Sequence, residues 1–64
     1  MKKIGKTFEL NTYEDEKAFY VKVTNKEYKK LADKDQGLYN QIIDLEVYES
    51  TSEYDILIWS KKWK

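Results

Sequence analysis

The chain has 64 residues, with 12 Lys, 12 Asp or Glu, and no Cys, His, Arg or Pro. That length allows one domain at most, and the composition rules out disulfide staples and the thiolate or imidazole ligands of a structural zinc site. The neutral total hides a segregation: residues 1–34 hold nine Lys against six acids, residues 35–64 hold six acids against three Lys, and no lysine occurs between Asp35 and Ser60. Such asymmetry points to an electrostatic partner surface more than to chemistry.

From the amino terminus, residues 4–13 alternate as a strand would, with Ile4, Phe8 and Leu10 on one face and Thr7, Glu9 and Asn11 on the other. The polar run Glu14-Asp15-Glu16-Lys17 reads as a turn. It leads into Ala18–Val23, where Phe19, Val21 and Val23 alternate with Tyr20 and Lys22, so a β-hairpin is expected. Thr24-Asn25-Lys26-Glu27 fits a capping box, which starts a helix. Tyr28, Leu31 and Ala32 form its apolar stripe, and Gly37 is placed to terminate it.

Leu38, Ile42 and Leu45 also match a helical spacing, so the helix could resume after Gly37; the preferred reading is a strand from about Ile42. In that reading Ile43, Leu45 and Val47 face the core while Asp44, Glu46 and Tyr48 face outward. Ser50-Thr51-Ser52-Glu53 supplies the next turn, and Tyr54–Trp59 the last strand. The expected fold is α+β, a small single domain over residues 1–64 in the order ββαββ, with a mainly antiparallel four-stranded sheet and one helix packed on one face. The last strand is apolar on both sides, Ile56 and Ile58 one way and Leu57, Trp59 and Trp63 the other, so it calls for cover on both. The helix with a curled sheet, a homodimer, or another partner would each supply it. Ten aromatics help to offset the small size, each burying roughly 150 to 250 Å².

The opening MetLysLysIleGlyLys is not followed by the apolar stretch of a leader peptide, and Ile56–Trp59 is far short of the roughly 18 apolar residues of a membrane span. A soluble, cytoplasmic protein without membrane contact is expected. The wealth of Lys, Ile, Tyr and Asn suggests an A+T-rich genome, such as that of a phage or mobile element.

For function, acid–base catalysis would have to come from paired carboxylates, and Asp44 with Glu46 is the candidate pair. A chain this small closes few pockets around such a pair, so no enzymatic activity and no cofactor are expected. Asp33-Lys34-Asp35-Gln36-Gly37, with Asp44 beyond, departs from a calcium loop in its glycine position and in lacking the closing Glu; a helix end explains it better, and no metal is expected. The main expectation is a small protein-binding module or inhibitor. It would dock a basic protein surface through an acidic and aromatic face built from Asp44, Glu46, Tyr48, Asp55, Leu57 and Trp59. The alternative is a nucleic-acid-binding module in which Lys22, Lys26, Lys29 and Lys30 meet phosphates and Tyr20 stacks on a base, against which stands the lack of Arg. A homo-oligomer sealed through Leu57, Trp59 and Trp63 is the third.

Overall fold

The computed structural model describes residues 1–62. Five strands and two helices follow one another as β1 (Lys2–Thr7), β2 (Leu10–Glu14), β3 (Ala18–Thr24), α1 (Asn25–Lys34), α2 (Gln36–Ile43), β4 (Val47–Ser50) and β5 (Tyr54–Lys61). All strand pairs are antiparallel, and the sheet order is β1-β2-β3-β5-β4, so the helices bridge the crossing from β3 to the outer hairpin. The α+β class stands; the count of four strands and one helix does not, and both differences have local causes.

The first is a chain reversal inside the segment read as one strand. Phe8 and Glu9 both adopt positive φ, 51° and 68°, and join β1 to β2 in a two-residue turn. Such turns ordinarily recruit Asn-Gly, and nothing in Phe-Glu signals one. Tertiary contacts hold it instead: the Phe8 ring packs edge-on against Trp59, centroids 5.8 Å apart, and Glu9 pairs with Lys30 of α1 at 3.6 Å. Leu10 is therefore buried while Phe8 and Ile4 stay exposed. Gly5, at φ 140°, accommodates the bulge between Lys3 and Gly5 that bends this edge strand.

The left-handed conformation costs an ordinary residue about 1–2 kcal/mol, of which a glycine's greater unfolded-state freedom returns roughly 0.4–1. The exposed Lys30–Glu9 pair contributes little against that. Glu9→Gly is expected to raise the melting temperature by a few degrees. A fall in melting temperature would show that the ion pair outweighs the strain.

The second hairpin, β2–β3, forms where expected. Asp15 accepts from the N–H groups of Lys17 (2.7 Å) and Ala18 (3.0 Å), and its other oxygen accepts from the Tyr20 hydroxyl (2.8 Å), which closes the turn at Glu14–Lys17. The capping box is also present: Thr24 Oγ1 accepts from the Glu27 N–H at 3.2 Å and Glu27 Oε1 from the Thr24 N–H at 3.0 Å.

α1 ends at Lys34, three residues before Gly37. Asp35 leaves the helical region (φ −147°), donates its N–H to the Leu31 carbonyl, and accepts from the Leu38 N–H, so one residue ends α1 and caps α2. Gly37 is absorbed into the first turn of α2. Of the strand expected from Ile42, Ile42 and Ile43 close α2, residues 44–46 form a link and the strand begins only at Val47, so the helical match of Leu38 and Ile42 is the pattern that prevails there. Ile42 is completely buried and Ile43 is half exposed, the reverse of the strand expectation.

Two layers of side chains close the sheet. On the helical side Leu10, Val21, Val23, Ile42 and Leu57 pack with Tyr28, Leu31, Leu38, Leu45 and Trp59. On the other side Ala18, Tyr20 and Ile56 pack with Tyr13, Tyr54 and Ile58. The two-sided apolar strand β5 is therefore covered by helices on one face and by tyrosines on the other, with Tyr48 beside Tyr20 at 4.6 Å between centroids and the rings tilted by 52°. Ser60 and Lys61 belong to β5, and the Lys62 N–H donates to the Lys17 carbonyl. The expectation on Trp63 lies outside the described residues.

Candidate functional site

β4 is a short edge strand, exposed along its whole length, and it follows α2 after a three-residue link. Where α1, α2 and β4 approach one another they leave an open groove of about 400 Å³ lined by Tyr28, Tyr39, Ile43, Val47, Asp55 and Leu57. Tyr39 and Ile43 reach it because they lie four apart on α2, one turn along the same face. Val47 pairs with Leu57 across β4–β5 and so points to the same side of the sheet. Ile43 is 50% and Val47 54% exposed, an apolar pair that the fold leaves uncovered.

The wall of the groove is held by ring contacts and hydrogen bonds. Tyr28 and Tyr39 meet edge to face at 6.4 Å, the Tyr28 hydroxyl donates to Asp55 Oδ2 at 2.9 Å, and the Ser50 hydroxyl donates to Asp55 Oδ1. Burial, and then the hydrogen bond to the Asp55 carboxylate, push the Tyr28 phenol well above its ordinary value. Burial and the Asp15 carboxylate likewise raise Tyr20, to about 12. Partial desolvation works against the Asp15 charge, but donation from the Lys17 N–H, the Tyr20 hydroxyl and the Ala18 N–H outweighs it and holds that carboxyl below its usual value.

Raised phenols carry a pH signature. Below about pH 10 both folded and unfolded chains keep these protons, and their contribution to stability is complete. Between about pH 10 and 12 the unfolded chain releases them first, so stability falls as pH rises through the Tyr20 value. Unfolding titrated by urea across that window is expected to show a dropping midpoint that flattens in Tyr20→Phe and Tyr28→Phe; an unchanged slope in both variants would contradict these hydrogen bonds.

The six residues expected to form one acidic and aromatic face are divided by the sheet. Asp55 and Leu57 line the groove, Leu57 as its buried floor and Asp55 locked to Tyr28. Asp44 caps the end of α2 next to Ile43, and Glu46 precedes Val47 in the link; neither lies on a strand, so they form no strand-face pair. Glu46 is paired with Lys61 at 3.2 Å, a lysine brought back by β5 to the segment that has none of its own. Tyr48 lies on the opposite face, over Tyr20, and Trp59 packs against Phe8. Leu57 and Trp59 thus face the helices, Leu57 buried and Trp59 partly covered. Ile43, Val47, Tyr28 and Tyr39 are the site residues that the strand reading missed; the helical spacing from Leu38 was the signal.

The alternative set is also divided. Tyr20 is buried with its hydroxyl on Asp15, so it presents no ring to a base. Lys22 lies over Tyr54 on the helix-free face, whereas Lys26, Lys29 and Lys30 are on α1 across the sheet. A second concavity of about 280 Å³ opens between the Phe8–Glu9 turn and α1, but its rim mixes Glu9, Glu27 and Asp35 with Lys30 and Lys34 and favours neither sign of ligand.

Among the described residues no three carboxylates are grouped to hold a metal ion, and no helix is long and apolar enough to cross a membrane. No family model, curated protein or solved structure matches the chain.

Proposed function

We propose that the chain is a small non-enzymatic binding protein or inhibitor that docks a basic protein surface at the α2–β4 groove. One observation carries the reading: two half-exposed aliphatic side chains, Ile43 and Val47, stand over a groove whose one charged lining residue is a carboxylate, Asp55. Of the neighbouring acids, Asp44 caps α2 beside Ile43 and Glu46 lies in the link paired with Lys61, while Glu49 shares the opposite face of the sheet with Ile56. An apolar centre with an acidic rim suits a segment in which aliphatic and basic residues alternate, the aliphatic ones filling the groove and the basic ones meeting the rim.

The test uses the full chain and two immobilised extended peptides, one alternating Val with Lys and one alternating Val with Glu. Binding to the lysine peptide is expected at about 50 mM salt and weakening severalfold by about 300 mM, as rim charges are screened. Equal binding to both peptides, or none to the lysine peptide, would overturn the proposal.

A further inference from the structure

We infer a second binding surface on the helix-free face of the sheet, one that takes single-stranded nucleic acid. Antiparallel partners point to the same side of a sheet, so the strand register places whole rows of side chains together. Lys3 pairs with Tyr13, Tyr13 with Tyr20 and Tyr20 with Ile58, which lays one row across four strands. The adjacent row runs from Lys6 through Asn11 and Lys22 to Ile56. A band of tyrosine is thus flanked by a band of lysine; β1, β2 and β3 contribute no carboxylate to this face, whose acids lie at its margins, Glu49 beyond Ile56 on β4 and Asp15 and Glu16 with Lys17 beside Tyr20 and Tyr48.

The rings differ in what they can do. Tyr20 is buried and tied to Asp15, and serves as a floor on which Tyr48 rests at 4.6 Å. Tyr48 is 51% exposed, the ring of this face most open to a stacking base; Tyr13 offers a second, half-buried ring. Lys22 has its ammonium 4.3 Å from the Tyr54 ring, which holds its charge above the sheet. Aromatic platforms beside a track of cations are what a single strand requires, because every base has a stacking face and every linkage a phosphate. A duplex would hide its base faces and leave the tyrosines unused. This surface lies across the sheet from the α2–β4 groove and does not depend on it.

The test is the fluorescence anisotropy of a labelled oligothymidylate of about 15 nucleotides mixed with the full chain. Binding is expected at about 20 mM salt, with log affinity falling against log salt with a slope near −2, from three lysines at roughly 0.7 each on a single strand. Tyr48→Ala, at an exposed site, is expected to weaken binding about tenfold. Lys6→Glu with Lys22→Glu should remove it, while Ile43→Ala in the groove leaves it unchanged. No binding at low salt would overturn the inference. So would binding abolished by Lys26→Glu, Lys29→Glu and Lys30→Glu yet indifferent to Tyr48→Ala, since that places the contact on α1, and so would equal affinity for duplex of the same length.

Discussion

Ile42→Ala is expected to leave the chain largely unfolded at 25 °C, whereas Ile43→Ala next to it should shift stability by no more than about 0.5 kcal/mol. Ile42 has no exposed surface and fills the space between α2 and the sheet residues Leu10, Val21, Val23 and Leu57. Truncating such an isoleucine costs about 2–5 kcal/mol, and a core of this size rarely supplies more than about 3–5 in all. Ile43 projects into the open groove and loses little when shortened. Urea denaturation followed by circular dichroism checks the pair. Similar losses for both substitutions, or a larger one for Ile43→Ala, would mean that this segment is the strand its alternating pattern suggested.

The second large effect falls on binding. Val47→Asp is expected to reduce affinity for the alternating Val–Lys peptide by more than tenfold, because it sets a solvated charge in the apolar centre of the groove where the partner's aliphatic side chain should sit. Asp44→Lys with Glu46→Lys, the two acids of the link beside Ile43 and Val47, should reduce affinity about tenfold, chiefly by slowing association, since rim charges steer more than they hold. Surface ion pairs contribute only about 0.2–1 kcal/mol each, so reversing two signs is the smallest change that gives a clear signal. Val47→Thr keeps shape and strand preference in β4, and separates loss of the apolar contact from damage to the edge. Full affinity in Val47→Asp would show that the peptide binds elsewhere.

Where the chain carries strong local chemistry, its sequence is a sound guide. The Thr24–Glu27 capping box and the turns at Asp15 and Thr51 appear as read, whereas β3 keeps its alternation but buries Tyr20 as well as Val21 and Val23. The Phe8–Glu9 reversal was not legible, because nothing in Phe-Glu signals a two-residue turn and the ring that Phe8 packs on, Trp59, lies some 50 positions away. At Ile42 both periods were present in the residues, and the choice turned on Asp35, which ends one helix and caps the next so that Gly37 is not needed as a terminator. That single shift from strand to helix moved Asp44 and Glu46 off the sheet, exchanged Ile42 for Ile43 in the core, and separated Tyr48 from Asp55. The acidic character of the segment could be read directly from its composition; its arrangement around a groove depends on the rotation of α2, which only packing against Leu57 and Val23 decides.

Backbone amide shifts of the labelled full chain, titrated with the alternating Val–Lys peptide at low salt, test the docking proposal most directly. The account predicts saturable changes concentrated at Tyr39, at residues 43–49 and at Asp55, with the β1–β2 hairpin silent. Changes centred on Tyr13, Lys22 or the α1 lysines, with residues 43–49 unmoved, would contradict it.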